Sequence, residues 1–416
     1  MTRIEELTER DLDAFVDIVA NAYPGMKIFS IEERQNFKER VKQHADEDPT
    51  VHLYGVWRDG GLVGGMRLFD FTMRLFETTI PVGGVGLVAV DLLHKKEKVA
   101  KDLIAYFVRH YHDRGTPMVS LYAFRHDFYK QMGFGYGTKT NQYRLKPGNL
   151  PRRGTREHLR FLTPADTGAV HACYRRVYAR THGFFARSEL FYQRMLEGGE
   201  HRVVGVKHGE QISGYFIFTF KPSGPDNVLL NDIHVHELIY EDRATLAELT
   251  AFLQTQADQI DRVIVTTQDE YFHHLPLDPR NGSDNWFYLN HETNAQGLGI
   301  MYRISDVRAV LRALHEHDFA GLDCRLRLVI QDTFFPQNNG ATVLHVTEGH
   351  MSVHDDAPSD FEVRLDISEF SSLLMGSVGF RKLYTFGLAE ISDARYIDTV
   401  DRLFRVWEKP ICVTRF

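Results

Sequence analysis

A buried strand that leads directly into a basic helix start is the feature that most constrains this chain. Residues 85–90 form a short, almost wholly apolar run, which is typical of a buried strand. An amphipathic helix is predicted from about Glu97 to Arg114, and its start carries Lys95, Lys96, Lys98 and Lys101. A helix start offers free backbone N–H groups and the positive end of the helix dipole. With the lysines, this arrangement predicts a pyrophosphate site, although the lysines alone would also fit a solvated surface.

Helices and strands are mixed through the first third of the chain. Two helices are predicted at Glu9 to Ala20 and Ile31 to His44, followed by two strands joined at Asp59-Gly60. Met118 to Phe124 is a second buried strand, and a short helix follows at residues 126–132. This order predicts an α+β domain with a mixed sheet over residues 1–150.

The rest of the chain divides at a segment rich in Pro, Gly and Arg, residues 146–154. The element order of the first domain repeats in outline over residues 151–295. Its strand-to-helix turn, Glu241-Asp242-Arg243, is mostly acidic, so we expect no pyrophosphate site there. Residues 296–416 combine strands and short helices and end in a strand-like apolar run at residues 411–413, followed by Phe416. This ending predicts a docked C-terminus.

Composition excludes several classes of protein. The net charge of −7 over 416 residues argues against a nucleic-acid binder and fits a cationic partner. The three cysteines form no CxxC pair, which argues against disulfides and structural zinc. The N-terminus is too charged for a signal peptide, and no apolar run is long enough to span a membrane. We therefore expect a cytoplasmic protein that binds neither nucleic acid nor membrane.

Two further patterns are weak indications of a site. Gly84-x-Gly86 resembles part of a dinucleotide fingerprint, but it precedes a strand instead of following one. His234-x-His236 has the spacing of metal ligands on a strand, but no third ligand is evident. Neither pattern is interpreted as a site, and we expect no metal.

The stretch from Gly86 to Gly137 resembles the acetyl-CoA motif of GNAT acetyltransferases, and most closely that of the Eis (enhanced intracellular survival) family. GNAT enzymes carry Gln or Arg, two residues, Gly, one residue, then Gly or Ala; Lys98 stands here in place of the central Gly. If the φ of Lys98 is negative, its amide can still act as a helix donor. In Lys95-x-x-Lys98-x-Ala100, Ala100 fits the last position of the GNAT pattern and Lys95 fits the first by charge only. Val88-Ala89-Val90 and His94-Lys95-Lys96 match the V-A-V and basic segments of Eis proteins in register. Tyr129-x-x-Met132-Gly133-Phe134-Gly135 matches their Tyr-x-x-F-G-Y-G run, with Met and Phe at the aromatic positions.

This resemblance implies the residues of an active site. Tyr129 would be the general acid, and the terminal carboxylate of Phe416 would be the base. The backbone amides around Val88 to Val90 would polarise the thioester carbonyl. Acetyl-CoA, as co-substrate, would be bound by Val88, Ala89, Val90, Lys95, Lys96, Lys98, Val99, Ala100 and Lys101.

The resemblance covers the whole chain. It implies a GNAT domain at 1–150, a second GNAT-like domain without cofactor at 151–295, and a sterol-carrier-protein-like α/β domain at 296–416. It also implies a homo-oligomer, commonly a hexamer, and small-molecule amine substrates on polycations such as aminoglycosides, or protein lysines. Two alternatives stay open: an enzyme acting on another amine, such as a polyamine or a peptide lysine, and a non-catalytic ligand-binding protein on a decayed scaffold.

Overall fold

The computed structural model describes residues 2–224 and 229–416, and for Trp286 it describes the backbone only. The strands are β1 (Arg3–Glu6), β2 (Val51–Arg58), β3 (Gly61–Leu75), β4 (Thr78–Val90), β5 (Met118–Tyr122), β6 (Gly135–Tyr136), β7 (Thr140–Leu145), β8 (Leu159–Phe161), β9 (Arg202–His208), β10 (Gln211–Pro222), β11 (Asn231–Tyr240), β12 (Ile260–Thr267), β13 (Trp286–Phe287), β14 (Asn290–His291), β15 (Asn294–Gly297), β16 (Ile300–Ile304), β17 (Cys324–Gln331), β18 (Gly340–Thr347), β19 (His350–His354), β20 (Phe361–Asp366) and β21 (Ala389–Ile391).

The α-helices are α1 (Leu12–Ala22), α2 (Ile31–Glu47), α3 (Val99–His112), α4 (His126–Lys130), α5 (Thr167–Tyr178), α6 (Glu189–Glu197), α7 (Arg243–Gln254), α8 (Val307–Ala313), α9 (Ile367–Leu374), α10 (Phe380–Thr385) and α11 (Ile397–Leu403). Several begin at side-chain caps, as at Ser30, whose hydroxyl accepts from the amide of Glu33. None of the helices in the described ranges combines the length and apolar character needed to cross a membrane.

The first sheet has seven strands in the order β1-β2-β3-β4-β5-β16-β6. Its pairs are antiparallel except for β4 and β5, which run parallel across the helix α3. The apolar face of α3 packs on this sheet, with Leu103 and Phe107 fully buried against Met66 and Leu121. On the other side, α1 packs Phe15 and Val19 into a second apolar cluster. The predicted α+β domain with a mixed sheet is therefore present.

The second sheet also has seven strands, in the order β15-β7-β12-β11-β10-β9-β8. Here β11 and β12 are the parallel pair, joined through α7. The predicted hairpin around His208-Gly209 joins β9 to β10. A strand is predicted at residues 228–240; β11 begins at Asn231, and Val228 lies outside the described residues.

The third sheet has five strands, β19-β18-β17-β20-β21, with β17 and β20 parallel. Helix α9, buried along its whole length, packs against β16 and β6 of the first sheet. Polar contacts also join these parts: Ser372 donates to the carbonyl of Tyr136, and Lys130 forms an ion pair with Glu369.

Contacts divide the chain into two compact units. The first contains residues 1–137, 300–408 and 414–416, and the second contains 138–299 and 409–413. Two strands therefore lie in a different sheet from the strands next to them in sequence. β7 follows β6 but belongs to the second sheet, and β16 follows β15 but belongs to the first.

Three local expectations differ from the structure. β4 begins at Thr78 instead of near Val85, because Phe76-Glu77 makes a tight turn from β3, with Phe76 at φ 51°. The sequence predicts Ser305 as the cap of the helix that follows β16, but Asp306 caps α8. Residues 411–413, predicted as strand-like, form no strand with any described residue and are instead held by single hydrogen bonds, such as Cys412 N to Gln268.

Candidate active site

The end of β4 is irregular, and this irregularity shapes the candidate site. Its parallel pairing with β5 stops at Val85 opposite Leu121, while β4 continues to Val90. On the other side, the register with β3 slips between Gly86 and Ala89, a bulge in which Leu87 adopts a φ of 52°. From Val88 to Val90, β4 therefore makes no pairing with β5. The backbone N–H and C=O groups that face the β5 side can bind another partner.

The turn after β4 leads into α3 as predicted, in the first unit. Within the described chain, the side chains of Lys95, Lys96 and Lys98 are exposed and make no ion pair within 4.0 Å. The first-turn amides of α3, those of Val99, Ala100 and Lys101, have no carbonyl four residues back inside the helix. This combination of free amides and unpaired cations fits the phosphates of a CoA-type ligand.

Arg58 braces this turn. Its guanidinium donates to the carbonyl of Glu97 at 3.1 Å and pairs with the carboxylates of Glu97 and Asp102 at 3.2 and 2.9 Å. His94 Nδ1 lies 2.9 Å from the same Glu97 carboxylate, and these contacts hold the pKa of Glu97 below its ordinary value. The acidic residue of the turn is thus neutralised, and the lysines remain available.

Lys98 does not meet the condition under which its amide could serve as a helical donor. It is the residue that precedes α3, and its φ is +67°, in the left-handed region. The chain turns sharply there to enter the helix. Glycine adopts this conformation without strain, whereas a residue with a Cβ does so at a cost of about 1 kcal/mol.

Tyr129 lies on α4, and its ring packs against three aromatic side chains. The ring is 3% exposed and lies edge-on to Phe124, Phe128 and Phe134, at centroid distances of 5.7, 5.2 and 5.9 Å. Its hydroxyl has no hydrogen-bond partner among the described residues, yet the oxygen is not sealed from solvent. Burial, with a smaller effect from the nearby phenol of Tyr23, raises the pKa of Tyr129, so the hydroxyl keeps its proton at neutral pH.

Phe416 docks on the same sheet as Val88. Its ring contacts the rings of Phe69, Phe71 and Tyr122 at centroid distances of 5.5, 4.9 and 5.4 Å. The hydroxyl of Tyr122 donates to the carbonyl of Thr414 at 2.9 Å and anchors the last residues. The chain end is therefore held, with its carboxyl group above Gly86.

Gly84 and Gly86, which the sequence analysis sets aside, make room for this chain end. A Cβ on Gly84 would lie 3.1 Å from the ring of Phe416, and one on Gly86 would lie 3.0 Å from its carboxyl carbon. The pattern Gly-x-Gly arises because side chains two residues apart on a strand face the same side. A glycine pair at the edge of a buried strand is the sequence signal for this close approach.

Tyr23 also belongs to the site, although no sequence pattern indicates it. This residue follows α1 directly as its C-cap, and its hydroxyl donates to the carbonyl of Val88 at 2.7 Å, within the bulge of β4. Burial raises the pKa of Tyr23, and its phenol is close enough to Tyr129 to affect that residue. Tyr23 therefore lies between the bulge of β4 and Tyr129, the candidate general acid.

Arg67 is a second residue that the sequence analysis misses. It pairs with Gly86 in the β3–β4 register, and its guanidinium lies 4.8 Å above the ring of Phe69. Burial lowers its pKa, and its contact with His44 Nδ1 is 3.4 Å long. A cation thus lies on the strand opposite the residue on which the C-terminus docks.

The structure brings most of the predicted residues to one end of β4. Gly86 supports Phe416, Val88 lies two residues further and contacts Tyr23, and Tyr129 lies beside Tyr23. The lysines follow after Val90, and Lys101 turns away toward the ring of Phe334, with its nitrogen 5.8 Å from the centroid. An acid, a carboxylate, free amides and cations at one strand end suit acyl transfer from a thioester.

Family models match three parts of the chain. Residues 3–137 match an Acetyltransferase (GNAT) domain, residues 183–304 match another Acetyltransferase (GNAT) domain, and residues 310–413 match a Sterol carrier protein domain. These matches confirm the predicted fold class of two GNAT-like mixed-sheet domains followed by a sterol-carrier-protein-like domain.

Curated relatives agree with this. N-acetyltransferase Eis of Mycobacterium tuberculosis (strain ATCC 25177 / H37Ra) is 23% identical over 373 residues, which cover 83% of this chain and 84% of the relative. N-acetyltransferase Eis of Mycobacterium bovis (strain ATCC BAA-935 / AF2122/97) matches to the same extent. The predicted enzyme class, an N-acetyltransferase, is confirmed.

Solved structures show the same fold. A GCN5-related N-acetyltransferase from Anabaena variabilis has a TM-score of 0.81 at 17% identity, and one from Kribbella flavida has 0.79 at 19%. Eis1 from Mycobacterium abscessus has a TM-score of 0.77 at 19% identity. In all three cases, the similarity covers 100% of both chains.

Proposed function

We propose that this chain, an Eis-family N-acetyltransferase of the GNAT superfamily, transfers the acetyl group of acetyl-CoA to amines of a polycationic small molecule. GNAT acetyltransferases use acetyl-CoA as co-substrate. The observation that carries the proposal is the convergence of Tyr129, the β4 bulge and the carboxyl end of Phe416 at one strand end. This convergence favours a working enzyme over a decayed binding scaffold, because packing alone gives no reason for an unpartnered hydroxyl and a docked carboxylate in one place.

Binding of the co-substrate uses the segment from Val88 to Lys101. The free amides at the start of α3 and the exposed Lys95, Lys96 and Lys98 bind the pyrophosphate. The strand backbone at Val88 to Val90, released from β5, hydrogen-bonds the ligand beyond the pyrophosphate. An amide of this stretch also faces the thioester oxygen and stabilises negative charge there as it develops.

The transfer itself is one bond exchange. The substrate ammonium loses a proton to the carboxylate of Phe416, directly or through a water molecule. The free amine attacks the thioester carbon, forming the C–N bond, and the C–S bond breaks. Tyr129 donates its proton to the departing sulfur, and its raised pKa keeps that proton in place until the C–S bond breaks. The nitrogen of the new amide then releases its extra proton, through water, to the Tyr129 phenolate, which restores the acid.

The substrate class is an amine on a polycation, either aminoglycoside-like or a lysine side chain. The net charge of −7 supports attraction of such a cation over distance, and the carboxylate of Phe416 supports its local binding. Arg67, which pairs with Gly86 in the strand register, would repel a second positive charge of the substrate beside the carboxylate of Phe416. A substrate with well-separated amines fits this arrangement better than one with adjacent amines.

The proposal extends to domains and assembly. We assign acetyl-CoA binding to residues 1–150, a GNAT-like domain without cofactor to 151–295, and the supply of the terminal carboxylate to 296–416. No strand-to-helix turn is basic in the described part of the second domain; α7 begins after Asp242, whose carboxylate caps the helix. Family resemblance supports a homo-oligomer, with a hexamer as the expected state, which light scattering measures directly.

Release of CoA thiol across a panel of amines tests the function. The panel contains aminoglycosides, linear polyamines and lysine peptides, and acetyl-CoA binding is measured in parallel. We expect acetyl-CoA to bind and at least one aminoglycoside to be acetylated faster than any peptide. If acetyl-CoA binds but no amine of the panel is acetylated, the proposal is contradicted and the ligand-binding alternative is restored.

A further inference from the structure

Three potential metal ligands come together in the second unit, outside the candidate active site. His158 lies just before β8, His208 ends β9, and Glu248 lies on α7. One nitrogen of each histidine and one carboxylate oxygen lie within 4.8 Å of one another. Among the described residues, this is the one group of three that could hold a metal ion. The residues are 50 and 40 positions apart, so no spacing pattern reveals them.

The backbone around the group is fixed by the second sheet. The amide of Lys207 donates to the carbonyl of His158 at 2.9 Å, and β8 pairs with β9 at Leu159 and Val206. The carboxylate of Glu248 accepts from the His158 amide at 3.3 Å and lies 3.0 Å from its Nδ1. The two imidazole rings lie side by side, with their centroids 4.0 Å apart. The three side chains are therefore held close together before any ligand arrives.

Glu248 is the unusual member of the group. Its side chain is 10% exposed, and no described lysine or arginine pairs with it. Lys207, whose amide donates to the carbonyl of His158, directs its ammonium to Asp166 at 2.8 Å. A carboxyl group in this position needs polar partners, and its described contacts are with the amide and Nδ1 of a single residue, His158. A divalent cation would give it a further, charged partner.

The ligand set indicates which metal fits. Two imidazoles and one carboxylate suit Zn²⁺, with bonds of about 2.0–2.2 Å and a water molecule in the fourth position. Tetrahedral ligands at that bond length lie about 3.4 Å apart. The three ligand atoms now lie within 4.8 Å of one another, so each pair must close by about 1.4 Å at most to reach that spacing. His208 is exposed, so the ion can enter from solvent.

We infer that His158, His208 and Glu248 form a zinc site that ties α7 to the β8–β9 edge of the second sheet. Its role is structural or regulatory in this unit, and it takes no part in the proposed acetyl transfer. The three cysteines are all buried, so they do not compete for added zinc in the folded protein.

Zinc titration of tag-free, chelator-treated protein by isothermal titration calorimetry tests this inference. We expect one Zn²⁺ per chain, and Co²⁺ at the same site should give visible d–d absorption of the intensity typical of tetrahedral coordination. His208→Ala, at an exposed position that leaves the fold intact, should weaken zinc binding at least tenfold. Glu248→Gln keeps the size of the side chain but removes its charge, and it should weaken binding similarly.

His236→Ala is the matched control. His236 lies in another cluster of histidines on the same sheet, near His201, and its Nε2 contacts the hydroxyl of Thr219 at 2.8 Å. This variant should bind zinc as the unmodified protein does. The inference is overturned if His208→Ala and His236→Ala bind zinc equally, or if the unmodified protein binds none at 100 µM, roughly the upper end for a specific site.

Discussion

A Cβ atom added to Gly86 would lie 3.0 Å from the carboxyl carbon of Phe416, closer than ordinary packing allows. The strand and the chain end therefore depend on each other, although 330 residues separate them in sequence. This contact explains why glycine stands at residue 86, and it fixes the position of the terminal carboxylate relative to Val88.

Gly86→Ala should displace the carboxylate by a few tenths of an ångström or more. Because the transfer needs its proton acceptor in place, we expect kcat to fall roughly tenfold while acetyl-CoA affinity is kept. Gly148→Ala is the control, since a Cβ there meets nothing within 4 Å. Steady-state kinetics on both variants provide the measurement, and equal kcat values would show that the chain end is not used.

Charge reversal at Lys95 and Lys96 should raise KM for acetyl-CoA. Both side chains are exposed and unpaired in the described chain, so their replacement by Glu leaves packing unchanged. The effect should be larger at low salt, because salt screens exposed charges. Lys382→Glu, on α10, is the control. A KM that stays the same at low ionic strength would remove these lysines from the co-substrate site.

Lys98→Gly should make the protein more stable than Lys98→Ala. Both variants lose the charge, but only glycine relieves the left-handed φ of +67° at the start of α3. The relief is about 1 kcal/mol in the free energy of unfolding. Because the strain belongs to the folded chain itself, acetyl-CoA affinity should be the same in the two variants. Urea unfolding of both variants provides the measurement, and equal unfolding free energies would mean that this residue carries no backbone strain.

Tyr129→Phe should lower kcat by ~10²–10⁴-fold with little change in acetyl-CoA affinity, because the hydroxyl acts only as the sulfur departs. Tyr136→Phe is the control, because Tyr136 is half-buried in the same glycine-aromatic run. Equal losses in the two variants, or none in Tyr129→Phe, would assign Tyr129 to packing.

The pH profile adds to this test. Burial raises the pKa of Tyr129, so the acid form persists as pH rises past neutrality and is lost only above the ordinary value of about 10. The value of kcat/KM should therefore rise with pH as the substrate amine loses its proton, and it should not fall again below about pH 10. A fall centred below pH 9 would identify a different acid.

Local sequence patterns predict the part of the site that is formed by residues close together in the sequence. The buried strand, the basic turn and α3 follow from periodicity and charge, and the motif around Tyr129 follows from family resemblance. The bulge at Leu87, the contact of Tyr23 with Val88 and the exchange of β7 and β16 join residues far apart in the chain. Such contacts leave no periodic signal. The Phe76-Glu77 turn is missed because neither residue type is typical of a tight turn.

The proposed mechanism depends most on the terminal carboxylate of Phe416, and one comparison of thiol-release rates tests it. The same protein is prepared with an affinity tag at the N-terminus or at the C-terminus. A C-terminal tag turns the carboxylate into an amide and extends the chain beyond Gly86. The account predicts that the C-terminally tagged protein binds acetyl-CoA but acetylates no amine, while the N-terminally tagged protein acetylates its best substrate. Equal turnover by the two proteins on any good substrate would contradict it.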